Sequence, residues 1–177
     1  NNLLPAWYET TIVNVLRIID NFKVDKRKSV SELNSRLNQI KRISVTYLFF
    51  LKTRELIGYI SLLNDRINLE GDLKEFFREK SILYHSLPAL KIGRLCVDDR
   101  FLRQGVGTLM MAFAAKVANY IFKGYSGCRF IILDAKRNKN NDVINFYKKI
   151  GFNTLNERKK ETTPMYLDLV DNTKFHI

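Results

Sequence analysis

The sequence predicts a mixed α/β domain built on a single sheet. Three observations carry that expectation. Short β-branched and apolar runs alternate with segments of helical period, in the order β-α-β-β-α-β-α-β-α-β-β. No internal repeat or low-complexity tract interrupts them, and none of the three prolines, Pro5, Pro88 and Pro164, marks a linker between domains. Hydrophobic residues make up 46% of the 177 positions and aromatics 12%, enough to bury a core. One domain over 1–177, with its core at 43–169, is expected.

Taken in order, residues 11–19 are β-branched and apolar and predict a strand. Residues 29–43 predict a helix. Ser29 or Ser31 can cap it, and Val30, Leu33, Leu37 and Ile40 share one face. The runs 45–51 and 56–63, joined by Lys52-Thr53-Arg54-Glu55, predict a β-hairpin. A helix over 72–83 follows, with Leu73, Phe76, Phe77 and Ile82 apolar, and Pro88 then precedes a strand over 90–97. After the polar turn Asp98-Asp99-Arg100, a glycine-rich segment opens a long helix to about Phe122, which Gly124 and Gly127 end. Residues 130–134 predict a buried strand, 141–150 a helix stopped by Gly151, and 152–155 and 165–169 the closing strands.

Charge is the first clue to function. Thirty Lys and Arg against 18 Asp and Glu give +12, a field that attracts polyanions such as nucleic acid or phosphorylated cofactors. Basic residues cluster at 23–28 and from Lys136 to Lys160, and a solvated basic face is the plainer account of both. No apolar run approaches a membrane span, and Asn1 to Tyr8 lack the basic start and apolar middle of a signal peptide. The two cysteines, Cys96 and Cys128, lie in apolar stretches and read as buried free thiols of a cytoplasmic protein. No metal site is expected, because neither His85 nor His176 has ligand spacing with a cysteine.

The segment Leu102-Arg103-Gln104-Gly105-Val106-Gly107-Thr108, between a strand and a helix, has the form of a phosphate cradle. Glycines let backbone N–H groups approach a ligand, and the helix start adds unpaired donors and partial positive charge. Arg103 adds a formal charge. Met110 stands where a dinucleotide fingerprint needs a third glycine, and the Gly-Lys-Ser/Thr triplet of a Walker loop is absent. Two glycines before a helix are by themselves often only a tight turn.

The wider context is more specific. Val97 to Thr108, an amphipathic helix, a buried strand and then Asn145-Phe146-Tyr147-Lys148-Lys149-Ile150-Gly151-Phe152 resemble the GNAT family of N-acetyltransferases over roughly 43–169. The resemblance implies a mixed, mostly antiparallel sheet with splayed central strands and flanking helices. It implies acetyl-CoA as co-substrate, its pyrophosphate on Arg103, Gln104, Gly105, Val106, Gly107 and Thr108, and its pantetheine along the backbone of Leu95, Cys96 and Val97. Tyr147 takes the family's general-acid position, and Asn140 stands where the family often has an Asn near the sulfur. Leu102 departs from the usual Gln or Arg three positions before the first glycine. More narrowly, Leu87 to Asp98 is similar to a stretch of the acetyltransferase toxins of toxin–antitoxin pairs, which acetylate the α-amine of aminoacyl-tRNA. That likeness implies a tRNA acceptor, an antitoxin partner and a homodimer, with Arg94 near the reactive centre contacting a phosphate or a tRNA end.

Each of these residues also has a plain structural account. Tyr147 fits a core aromatic on an amphipathic helix, Asn140 a helix N-cap, Arg94 a solvent-facing strand residue, and Leu95 to Val97 a core strand. As an acid, a phenol near pKa 10 is about 1.5 units weaker than a cysteine-like thiol at ~8.5, a gap that concerted transfer or a lowered phenol pKa would close. No general base is identifiable, which suits an α-amine of pKa near ~8 better than a lysine near ~10.4. The expected function is acetyl-CoA-dependent N-acetylation of aminoacyl-tRNA. Acetylation of a protein, polyamine or small amine, and a degenerate module that holds CoA or nucleic acid without turnover, are the alternatives.

Overall fold

The computed structural model describes residues 10–14, 37–137, 142–155 and 161–171. The strands are β1 (Thr10–Asn14), β2 (Val45–Leu51), β3 (Leu56–Asn68), β4 (Ser86–Val97), β5 (Phe130–Lys136), β6 (Asn153–Thr154) and β7 (Thr162–Asp168). The helices are α1 (Gly71–Glu79), α2 (Val106–Gly124) and α3 (Asp142–Ile150), with a 3-10 turn at Asp99–Phe101. Of the segment expected to be helical from 29 to 43, residues 37–40 are helical and 41–43 form a turn, while 29–36 lie outside the described residues. The predicted α/β class, with a mostly antiparallel open sheet, is what the chain adopts.

The chain groups into two compact units, 1–63 with 92–112 and 64–91 with 113–177. In the first unit the strand order is β1-β2-β3-β4. β1 runs antiparallel to β2, from Thr10 opposite Leu51 to Asn14 opposite Tyr47. β2 runs antiparallel to β3, and the buried hydroxyls of Thr46 and Ser61, opposite each other in that register, bond at 2.8 Å. Pairing two hydroxyls removes the cost of leaving either one unsatisfied among apolar neighbours. Phe49, Ile57, Ile60, Met110 and Met111 are fully buried. At Gly58 a Cβ would stand 2.4 Å from the Cys96 carbonyl oxygen and from Met110 Cε, so only glycine lets β4 and α2 approach β3 there. Leu37 and Ile40, expected on one helix face, are both exposed.

In the second unit the order is β3-β4-β5-β7-β6. β5 pairs antiparallel with β7, from Phe130 opposite Asp168 to Lys136 opposite Thr162. Ile67, Leu69, Phe77, Ala89 and Phe130 form its core cluster, with Phe77 edge-on to Phe130 at 5.9 Å. The Arg129 guanidinium stacks 4.7 Å over Phe77 and bonds Asp168 at 2.9 Å, so its charge is used twice at the cluster's edge.

Among the described residues, three boundaries differ from the expected ones by four residues or more. α1 stops at Glu79 rather than at 83, because Ser81 takes a positive φ and the N–H groups of Ser81 and Ile82 bond back to Arg78 and Phe77. That is a Schellman stop, and Ile82 packs against the same cluster as Phe77. β3 runs five residues past the expected end, to Asn68. β4 begins at Ser86, before Pro88, since the residue preceding a proline is already extended and the Pro88 carbonyl still accepts from Arg129 N–H.

Candidate functional site

β4 ends at Val97, and its neighbour Asp98 donates its N–H to the Ile57 carbonyl of β3. N–H groups alternate along a strand, so that of Val97 points away from β3. Asp98 then caps the 3-10 turn, accepting from the Arg100 N–H at 3.0 Å and from Arg100 Nε at 2.9 Å. Arg100 reaches across to Glu55 in the β2–β3 turn as well. Its guanidinium ties the segment after β4 to that hairpin, and Gln104 Nε2 donates to the Arg100 carbonyl at 3.0 Å.

The backbone then turns sharply. Arg103 has φ 59° and Gly105 φ 86°, the latter a conformation in which any other residue is strained. Leu109 N–H bonds the Gly105 carbonyl, which makes Gly105 the N-terminal flank of α2. The N–H groups of Val106, Gly107 and Thr108 therefore lie in the first helical turn, where no earlier carbonyl can accept them. Val106 is buried and anchors the turn, while Arg103, Gln104 and Thr108 are exposed. This is a cradle of backbone donors with one added cation, which fits a diphosphate. Leu102, at the position the resemblance marks as atypical, is exposed.

Cys96 is exposed, which corrects the expectation of two buried thiols; Cys128 is buried. The alternation of β4 breaks after Ile92, leaving Gly93, Arg94 and Cys96 open. Partial burial pushes the Cys96 thiol up, and Asp99 and Asp98 push it further. A thiol held protonated is a poor nucleophile. Arg94 is exposed, has no hydrogen bond or ion pair among the described residues, and lines a cavity of about 160 Å³ with Asn38, Ile43, Ser44 and Leu63.

Tyr147 belongs to the second unit. It lies on α3 between the buried Ile144 and Ile150, and only 7% of it is exposed. Its ring packs against Phe146 at 5.0 Å and Phe152 at 5.5 Å. α3 ends in a second Schellman stop: Gly151 has φ 114°, and the N–H groups of Gly151 and Phe152 bond the carbonyls of Lys148 and Tyr147 at 3.0 Å. The phenol hydroxyl has no hydrogen-bond partner among the described residues. Burial pushes its pKa up to about 12, the reverse of the lowering that would ease proton donation. Lys136, Arg137, Lys148 and Lys149 are exposed in the same unit. Asn140, the stretch 23–28 and the basic residues 158–160 lie outside the described residues.

The motifs give no hint of a charged row in the second unit, formed by Asp65, Lys91 and Asp134. The signal available was Lys91, a cation set between the apolar Leu90 and Ile92 of β4. Among the described residues no group of His, Cys, Asp or Glu could hold a metal ion, and no helix is long and apolar enough to cross a membrane.

The family model for GNAT acetyltransferases matches residues 15–152. The chain belongs to this family. As a GNAT protein it is an N-acetyltransferase of a family that uses acetyl-CoA. No curated protein matches it. Among solved structures it is similar to AtaT complexed with acetyl-methionyl-tRNAfMet, at 21% identity and a TM-score of 0.66, covering 90% of this chain and 95% of that one. A Tyr-to-Phe mutant of KacT is 20% identical with a TM-score of 0.68, covering 91% and 95%. AtaTR bound with AcCoA is 22% identical with a TM-score of 0.64, covering 91% and 94%. At these identities the likeness establishes the shared fold.

Proposed function

We propose that this GNAT protein is a translation-blocking toxin that acetylates the α-amine of aminoacyl-tRNA. The observation that carries the reading is the presence, in one GNAT chain, of both a cation-flanked donor turn at 103–108 and a ring-packed phenol at Tyr147. AtaT has been solved with acetyl-methionyl-tRNAfMet, and further neighbours carry an antitoxin segment or acetyl-CoA. The net charge of +12 suits an RNA acceptor and opposes a polycationic one.

The coenzyme supplies an activated thioester. In this reading the N–H groups of Val106, Gly107 and Thr108, with Arg103, hold its diphosphate, and the backbone of Leu95, Cys96 and Val97 lines its arm. Tyr147 gives its proton to the departing sulfur. The amine attacks the thioester carbonyl directly: the carbon–nitrogen bond forms as the carbon–sulfur bond breaks, and the amine's surplus proton passes to solvent. Asn140 and Arg94 are assigned to the sulfur region and to a phosphate of the acceptor. An antitoxin partner, a cytoplasmic location and a homodimer belong to the same reading.

Transfer of labelled acetyl to bulk aminoacyl-tRNA, to a lysine-rich protein and to polyamines tests it. Label on aminoacyl-tRNA alone, lost in Tyr147→Phe, is the expected result. Label on the protein or polyamines would replace the acceptor. The exposed Leu102 favours one second reading, a degenerate module; acetyl-CoA binding without label on any acceptor would establish it.

A further inference from the structure

The donor turn at 103–108 begins with two residues of left-handed backbone, Arg103 at φ 59° and Gly105 at φ 86°. Gly105 adopts that conformation freely; Arg103 carries a Cβ and adopts it under strain. A strained residue keeps its place where its surroundings over-determine it. Leu102, one residue back, is exposed and has no side-chain donor. The bonds that fix this stretch converge instead on Arg100.

Arg100 engages with three of its parts. Its N–H donates to Asp98 Oδ1 at 3.0 Å. Its carbonyl accepts from Gln104 Nε2 at 3.0 Å, a bond that closes the chain over Arg103 just before Gly105. Its guanidinium sets a fork on Asp98, Nε to Oδ1 at 2.9 Å and Nη2 to Oδ2 at 3.0 Å, and Nη1 donates to Glu55. Both carboxylates stand on bonded backbone. The Asp98 N–H donates to the Ile57 carbonyl of β3 at 2.9 Å, and the Glu55 carbonyl accepts the Leu51 N–H at 2.9 Å in the β2–β3 turn. A lone exposed ion pair contributes little. A planar fork shared by two carboxylates fixes direction as well as distance, and an ammonium cannot reproduce it.

We propose that Arg100 is a positioning residue for the coenzyme: gripping Asp98 and Glu55, it holds the turn at 103–108 in its anion-binding form before acetyl-CoA arrives. A turn ordered in advance binds more tightly, because less freedom is lost on binding. The proposal rests on that turn being the seat of the diphosphate, as read above, and is independent of the acceptor.

Arg100→Lys keeps the charge and loses the fork, whereas Arg100→Ala loses both. Arg100 is 63% exposed, so lysine leaves the packing intact, and the thermal midpoint checks this. The full chain is titrated with CoA by calorimetry, and backbone ¹⁵N order parameters are measured with and without CoA. Arg100→Lys weakens CoA at least about threefold and Arg100→Ala at least about fivefold. Without CoA, Gly105 and Gly107 are rigid in the wild type, with order parameters of about 0.85, and fall below about 0.6 in Arg100→Lys, while Met110 and Met111 stay rigid. Saturating CoA restores the order. A purely electrostatic role would let lysine substitute. CoA affinity of Arg100→Lys within twofold of wild type, or unchanged order at Gly105 and Gly107, therefore overturns the proposal. If CoA shifts the amide signals of 105–108 and the lysine variant still binds as wild type, the diphosphate seat stands and the positioning role falls. If CoA leaves those signals unmoved, the seat itself is wrong and the proposal falls with it.

Discussion

Tyr147→Phe separates what the phenol does for the fold from what it does in the reaction. The substitution removes one oxygen from a ring that is 7% exposed. That oxygen has no partner among the described residues, and the contacts of the ring with Phe146 and Phe152 survive. Stability at pH 7 should change by less than about 1 kcal/mol. Turnover should fall by about 10²–10³, the contribution of a well-placed general acid. With the phenol pushed up to about 12, complete proton transfer to a thiolate whose acid has pKa ~8.5 is uphill by roughly 3.5 units, or about 5 kcal/mol. The proton must therefore move as the carbon–sulfur bond breaks, and affinity for acetyl-CoA should stay within about twofold. Because the acid is the neutral phenol and its pKa is raised, the wild-type rate should show no loss of this group near pH 10. Stability shows the same shift from the other side. The unfolded phenol ionises near 10 and the folded one at about 12, so stability that is intact below pH 10 is lost from there to about 12. Two units amount to about 3 kcal/mol, and the Phe variant should not show that loss. Thiol release under saturating acceptor measures the first set, and urea unfolding at several alkaline pH values the second. Turnover within about threefold of wild type, or a rate falling near pH 10, refutes the role given to this residue.

Gly105→Ala forces a side chain into φ 86° and should weaken acetyl-CoA binding at least about tenfold with little change in thermal stability, read by titration of the coenzyme. Arg100→Ala removes one cation from beside Glu55 and Asp98 and so makes the field at the donor turn more negative; acetyl-CoA affinity should drop several-fold, and Glu55→Gln in the same chain should restore part of it. Arg129→Ala strips a mostly buried cation from Asp168 and from the Phe77 face, and should cost about 2–4 kcal/mol in urea unfolding. Gly151→Ala should cost about 1–2 kcal/mol and lower turnover as well, since it strains the stop that holds the end of α3.

The order of elements was legible because it depends on local periodicity, and so were the two chemical motifs. What stayed hidden depends on contacts distant in sequence. α1 ends four residues early because Ser81, not a glycine, takes the positive φ, and no residue pattern announces that. β3 continues to Asn68 through Asp65 and Arg66, beyond the apolar run that ends at 63, because their charges have partners or solvent on a sheet face. Cys96 sits in an apolar stretch and is nonetheless open, since the alternation of β4 fails after Ile92. The direction of the Tyr147 shift could not be read at all: a motif gives the position of a phenol, but only packing gives its solvation.

The same packing explains the spacing of the Tyr147 motif. In a Schellman stop the N–H groups one and two residues past the last helical flank bond the carbonyls three and five residues back, and the residue at the far end packs against the helix. Gly151 and Phe152 fill the two outer positions and Tyr147 the inner one, with Phe152 on the Tyr147 ring. The Tyr-x-x-x-Gly-Phe order is thus a way of clamping a phenol by its ring at a helix end. An acid that must give up its proton at one moment of bond breaking needs a fixed position more than a favourable pKa. Phe152→Ala tests that view separately from Tyr147→Phe. It keeps the acid and removes the clamp, so turnover should fall about tenfold or more while the coenzyme still binds. An equal loss of coenzyme affinity would mean that Phe152 supports the fold at large and not the aim of one side chain.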